Sequence, residues 1–111
     1  LIFNKLGANG TTYANIRSSN RESKTPFVAY LLTLDEIEFL DFYEGMPNDY
    51  VRVGISFIHQ ETNTTLLGHI YIAHPDKLST EQNIGLNYFN HIFQGYEING
   101  FTTATLSQFK P

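Results

Sequence analysis

The chain has 111 residues, is 41% hydrophobic and 14% aromatic, and carries a formal net charge of -4. That length and apolar content suffice for one domain with a real buried core and no covalent staples. The absence of cysteine excludes disulfides and thiolate zinc sites, and seven scattered basic residues argue against nucleic acid as a partner.

Leu1 to Lys5 reads as a short strand ended by the turn-rich Gly7-Ala8-Asn9-Gly10, and Thr11 to Ile16 as a second β-prone run. The polar stretch from Ser18 to Thr25 predicts a surface loop, closed by Pro26. Phe27 to Leu32 is apolar almost throughout, which predicts a buried central strand.

A helix start is well marked after that run. Thr33 can cap, and Glu36 three residues later completes a capping box. Leu34, Ile37, Leu40 and Phe42 or Tyr43 predict a buried stripe, and Gly45 the stop. Asp35 and Glu36 in the first turn suit the helix dipole, whereas Asp41 and Glu44 lie at the negative end and repel one another. A local rule broken twice within one turn points to function, and makes Glu44 the first candidate.

Tyr50 to Gln60 and Thr65 to Ala73 predict a β-hairpin around Glu61-Thr62-Asn63-Thr64. Val51, Val53, Ile55 and Phe57 alternate on one face, with Ile72, Ile70 and Gly68 opposite the first three. Gly54 predicts a bend or bulge, and the expected register sets His69 against Ser56. Ser79 and Gln82 form a second capping-box pattern, predicting a helix from about Thr80 to Gln94 with Gly95 as its stop. Ile84, Tyr88, His91 and Ile92 lie along one side, and Phe89 and Phe93 widen the apolar face. Asn99-Gly100 predicts a turn and Thr103 to Phe109 a last short helix.

His59, His69, His74 and His91 lack metal-ligand spacing, and no Ser-His-acid pattern is legible, so neither a metal nor a covalent nucleophile is expected. Asn9-Gly10-Thr11 and Asn63-Thr64-Thr65 match a glycosylation sequon but read as turns. No apolar run approaches spanning length and no signal-like segment opens the chain, so a cytoplasmic location without membrane contact is expected.

Together these landmarks resemble the γ-glutamylcyclotransferase-like family. Leu40-Asp41-x-x-Glu44-Gly45 is similar to the family's Leu-Asp-x-x-Glu-Gly segment, in which the Glu is the acid/base. Tyr50-Val51-Arg52-Val53 resembles the strand that follows it. Leu1-Ile2-Phe3-Asn4-Lys5 with Tyr13-Ala14-Asn15-Ile16 resembles the strand pair before the central strand, and Asn87-Tyr88 with Gly95 the segment that sets a tyrosine beside the pocket. The resemblance implies an α+β fold, a small mixed β-barrel flanked by helices around a polar pocket. It implies Glu44 as catalytic acid/base, Tyr50 and Tyr88 as substrate-binding residues, and a small-molecule γ-glutamyl substrate without a cofactor. A monomer and a homodimer are both compatible with it.

The family's Tyr-Gly-Ser-Asn-type loop, which holds the γ-glutamyl group, does not occur here, and the chain opens on Leu1 without methionine. A domain truncated at its N-terminus is therefore expected. Phe101-Thr102-Thr103-Ala104-Thr105 also stands where the family often has Leu-Pro-x-x-Tyr. The implied reaction is cyclisation of a γ-glutamyl amine or amino acid to 5-oxoproline. The rival is a non-catalytic binding or interaction domain of the same fold. Without the resemblance, Glu44 reads as an exposed carboxylate, and Tyr50 and Tyr88 as core residues with hydrogen-bonded hydroxyls.

Overall fold

A computed structural model describes residues 1–17 and 24–111 of the chain. The expected polar loop from Ser18 to Thr25 thus lies mostly outside the described residues. The fold is mixed α+β, with two antiparallel two-stranded sheets and helices. Two compact units are present: residues 1–28 with 77–111, and residues 29–76.

The first unit holds the strands β1 (Ile2–Leu6) and β2 (Thr12–Asn15), which pair antiparallel with an irregularity between Ile2 and Lys5. The turn between them closes as its residue types require. Gly10 takes φ +82°, and the Asn9 side chain accepts from the Thr11 N–H at 3.1 Å. Phe3 and Leu106 are each 1% exposed and, with Ile84, Phe89 and Tyr96, make the buried core. Phe109 stands edge-on to Phe3 at 5.2 Å from the short 3-10 segment Ala104–Phe109, where a final short helix was expected.

The long helix of this unit, α2, runs from Leu86 to Ile98, not from Thr80 to Gln94. Ser79 forms no helix cap, because its hydroxyl is engaged with Glu81, donating to its carbonyl and accepting from its N–H. Thr12 donates its N–H to Asn83 at 2.7 Å and bridges to Ile84, while Leu78 bridges to Lys5. Those strand-like contacts hold the segment extended up to Gly85, the N-cap. Gly95 is carried through as a helical residue, and the helix ends at Asn99-Gly100, with Gly100 at φ +71°.

In the second unit, α1 (Leu34–Tyr43) begins at the expected capping box. Glu36 N–H reaches Thr33 Oγ1 at 3.2 Å, and Thr33 N–H reaches Glu36 Oε1 at 2.9 Å. The strands β3 (Tyr50–His59) and β4 (Thr64–Ala73) pair over ten unbroken residue pairs, in the register that sets Val51, Val53 and Ile55 against Ile72, Ile70 and Gly68. Asn63 turns the hairpin at φ 54°. Gly54 lies in regular register without a bulge. The same ladder puts His69 opposite Gly54, not Ser56, since one continuous register cannot satisfy both pairings.

Two expectations about burial fail. Phe27 to Leu32 is neither strand nor buried: Tyr30 is 79% exposed and Leu31 fully exposed. An apolar run signals a strand only where a partner supplies hydrogen bonds, and the described ladder of β3 and β4 joins those two strands alone. Likewise no residue of α1 is buried. Ile37 and Leu40 are half-buried, while Leu34, Phe42 and Tyr43 face solvent.

Candidate functional site

The end of α1 shows how the sequence places Glu44. Gly45 adopts φ +66°, a conformation that costs other residues steric strain. This lets Gly45 N–H bond Phe42 O at 3.0 Å and Met46 N–H bond Asp41 O at 3.0 Å, the paired contacts of a Schellman termination. Glu44 is the C-cap inside that closed loop, with its own N–H on Leu40 O at 2.9 Å. The turn continues through a cis Met46–Pro47 peptide to Asp49, whose N–H donates to Gly45 O at 2.9 Å.

Asp41 heads a polar cluster built across the hairpin. Arg52 on β3 and Tyr71 on β4 are direct cross-strand partners, so both side chains project from one place on the sheet. Arg52 Nε donates to Asp41 Oδ1 at 2.8 Å and Nη2 to Oδ2 at 3.2 Å, a two-point fork. The Tyr71 hydroxyl donates to Asp41 Oδ1 as well. Arg52 Nη1 lies 3.3 Å from His69 Nδ1.

These contacts separate the two carboxylates electrostatically. Hydrogen bonds from Arg52 and then Tyr71 hold Asp41 below the usual carboxylate range. Glu44 moves the other way, because partial burial penalises its charge. The Tyr71 hydroxyl is pushed up to about 12 by burial and by its bond to Asp41, with the Glu44 charge adding to the effect. It therefore remains a donor throughout the physiological range.

Of the other expected site residues, Tyr50 lies on the hairpin and Tyr88 on α2. Tyr50 opens β3, half-buried, opposite Ala73. Tyr88 belongs to the first unit, where its hydroxyl accepts from the Ala14 N–H at 3.1 Å and its ring meets Tyr13 and Phe3 edge-on. Arg52 and Tyr71 escaped sequence reasoning as site residues. One signal was available: Arg52 is the only Lys or Arg from Ala29 through Asp76, among eight Asp and Glu residues.

Among the described residues no group of three or more His, Asp or Glu is placed to hold a metal ion, and no helix is long and apolar enough to cross a membrane. Two open grooves of the second unit measure about 430 and 540 Å³. The first is lined by Leu32, Asp35, Glu36, Phe39 and Leu40, the second by residues 54–56 and 67–69, and Glu44 lines neither. Comparison of the chain with family models, with curated proteins and with solved structures finds no match.

Proposed function

We propose that this chain carries the acid/base centre of a γ-glutamylcyclotransferase-type reaction, with Glu44 as the proton carrier. The observation that supports this reading is the contrast between two neighbouring carboxylates. Asp41 is saturated by Arg52 and Tyr71 and stays ionised, while the half-buried Glu44 is raised and has no described hydrogen-bond donor. Carboxylates pushed apart in this way divide into a fixed anion and a group that takes up a proton more readily than an ordinary Glu.

In the proposed reaction the α-ammonium of a γ-glutamyl group loses a proton to Glu44. The freed nitrogen attacks the γ-carbonyl carbon, forming the ring bond of 5-oxoproline and losing its second proton to solvent. The original amide C–N bond then breaks, and Glu44 returns its proton to the departing amine. Five-membered closure supplies the proximity that a bimolecular reaction must obtain from binding, worth about 7 kcal/mol or more. Proton transfer is what remains for the protein to accelerate. The β-barrel that the resemblance implies, and the substrate-binding roles it implies for Tyr50 and for Tyr88, belong to the same proposal.

The test is release of 5-oxoproline from a γ-glutamyl amine and from a γ-glutamyl amino acid by the full chain and by its Glu44→Gln variant. Turnover that vanishes in the variant supports the reading. No turnover by the unaltered chain, or equal turnover by the variant, overturns it. A second reading, a binding or interaction domain of the same fold, is favoured by the exposed Leu34, Phe39, Phe42 and Tyr43 side chains of α1.

A further inference from the structure

We infer that Arg52 and Tyr71 are positioning residues for Glu44: by holding the Asp41 carboxylate they fix the helix end that aims it. The inference rests on the acid/base role proposed above. Asp41 is bound on two sides at once. Its backbone carbonyl accepts from Met46 and closes the terminal loop that contains Glu44. Its carboxylate takes the Arg52 fork and the Tyr71 hydroxyl, which ties that loop to both strands of the hairpin.

Packing offers α1 no comparable hold. None of its residues is buried, and Phe39, Phe42 and Tyr43 are each more than 70% exposed. A helix without a buried stripe is held in register by directional contacts, and those of Asp41 fall three residues before Glu44. The anchor points are rigid as well, because Arg52 and Tyr71 face one another within an unbroken ladder. Arg52 is engaged by protein groups: its Nε and both terminal nitrogens lie within 3.3 Å of Asp41 or His69. Among the described residues, the titratable and charged groups at this helix end include Arg52, Tyr71 and His69 around Asp41, Glu44 beside it, and the Asp49 carboxylate against Gly45.

Loss of either anchor should loosen the Asp41 hold while leaving the Glu44 carboxylate intact. A displaced general base costs rate before it costs affinity, up to about 100-fold for a shift near 1 Å. The test uses the full chain carrying carboxyl-labelled Glu, with Tyr71→Phe, Arg52→Lys and the double variant. Glu44 is followed by NMR titration, and kcat and KM are measured on a γ-glutamyl amine. The expected results are a Glu44 titration displaced toward the ordinary Glu value, kcat lowered roughly 10- to 100-fold with KM within about twofold, and non-additive losses in the double variant. Hairpin amide exchange identifies variants that remain folded. Should a folded variant keep both the wild-type Glu44 titration and the wild-type kcat, the positioning role is overturned. If the unaltered chain turns nothing over, the cyclisation reading fails. The NMR titration alone then decides whether Arg52 and Tyr71 control Glu44.

Discussion

Tyr71 donates its hydroxyl to Asp41, the residue whose backbone carbonyl closes the helix end carrying Glu44. One side chain on β4 thus touches the Asp41 carboxylate and stands in the field of Glu44. Arg52 and Tyr71 lower Asp41 while partial burial raises Glu44, so two acids on one turn have opposite properties.

Replacing Glu44 with Gln should lower turnover by roughly 10²- to 10⁴-fold, the usual contribution of a positioned acid/base. The rate of the unaltered chain should rise with pH through a group titrating above the ordinary Glu value, and the variant should lose that limb. The same group has a stability signature. Because its folded value is raised, its contribution is complete below the ordinary Glu value and is lost as pH rises through the folded one. Relative to the unaltered chain, Glu44→Gln should therefore gain stability between acid and neutral pH. Denaturant melts at several pH values measure this, and a flat difference would contradict it.

Asp41→Asn should behave in the opposite sense. The folded value of Asp41 is lowered by Arg52 and Tyr71, so its contribution is present above the ordinary Asp value and disappears as pH falls through the folded one. The unaltered chain should be the more stable at neutral pH, and the two proteins should converge in strong acid. High salt should narrow the neutral-pH difference, since the pair is only partly shielded from solvent.

Gly45→Ala tests the helix end itself. At φ +66° a Cβ costs about 1–2 kcal/mol, and at this position it would stand 2.5 Å from Asp49 Oδ2, so that side chain must move. Gly45→Asn should fall between glycine and alanine, because Asn tolerates the left-handed conformation but brings the same Cβ. Urea midpoints of the three proteins give the order.

Tyr88→Phe separates a structural role from a substrate-binding one. The hydroxyl accepts the Ala14 N–H, and its removal should cost about 1 kcal/mol through that bond. A purely structural tyrosine leaves KM for a γ-glutamyl amine unchanged in the folded variant. A KM raised several-fold would assign the Tyr88 hydroxyl a part in substrate binding.

Local signals were read well wherever a short segment satisfies itself. Thr33 and Glu36 cap each other, Gly45 supplies the positive φ of the helix end, and the hairpin register follows from alternating Val51, Val53 and Ile55. The Ser79–Gln82 box opens no helix because Lys5 and Thr12, far away in sequence, hold Leu78 and Ile84 in bridges. Phe27 to Leu32 was misjudged for a related reason, since burial depends on what lies opposite.

By itself the sequence determined the helix and hairpin boundaries around Glu44, and the awkward placing of two acids at a helix end. These features depend on contacts within a few residues and on backbone sterics. Only the tertiary structure decided which acid is neutralised, because Arg52 and Tyr71 reach Asp41 from 11 and 30 residues away. Charge and spacing along the chain treat Asp41 and Glu44 alike. Two hairpin side chains give Asp41 its donors, and Glu44 is left with partial burial alone.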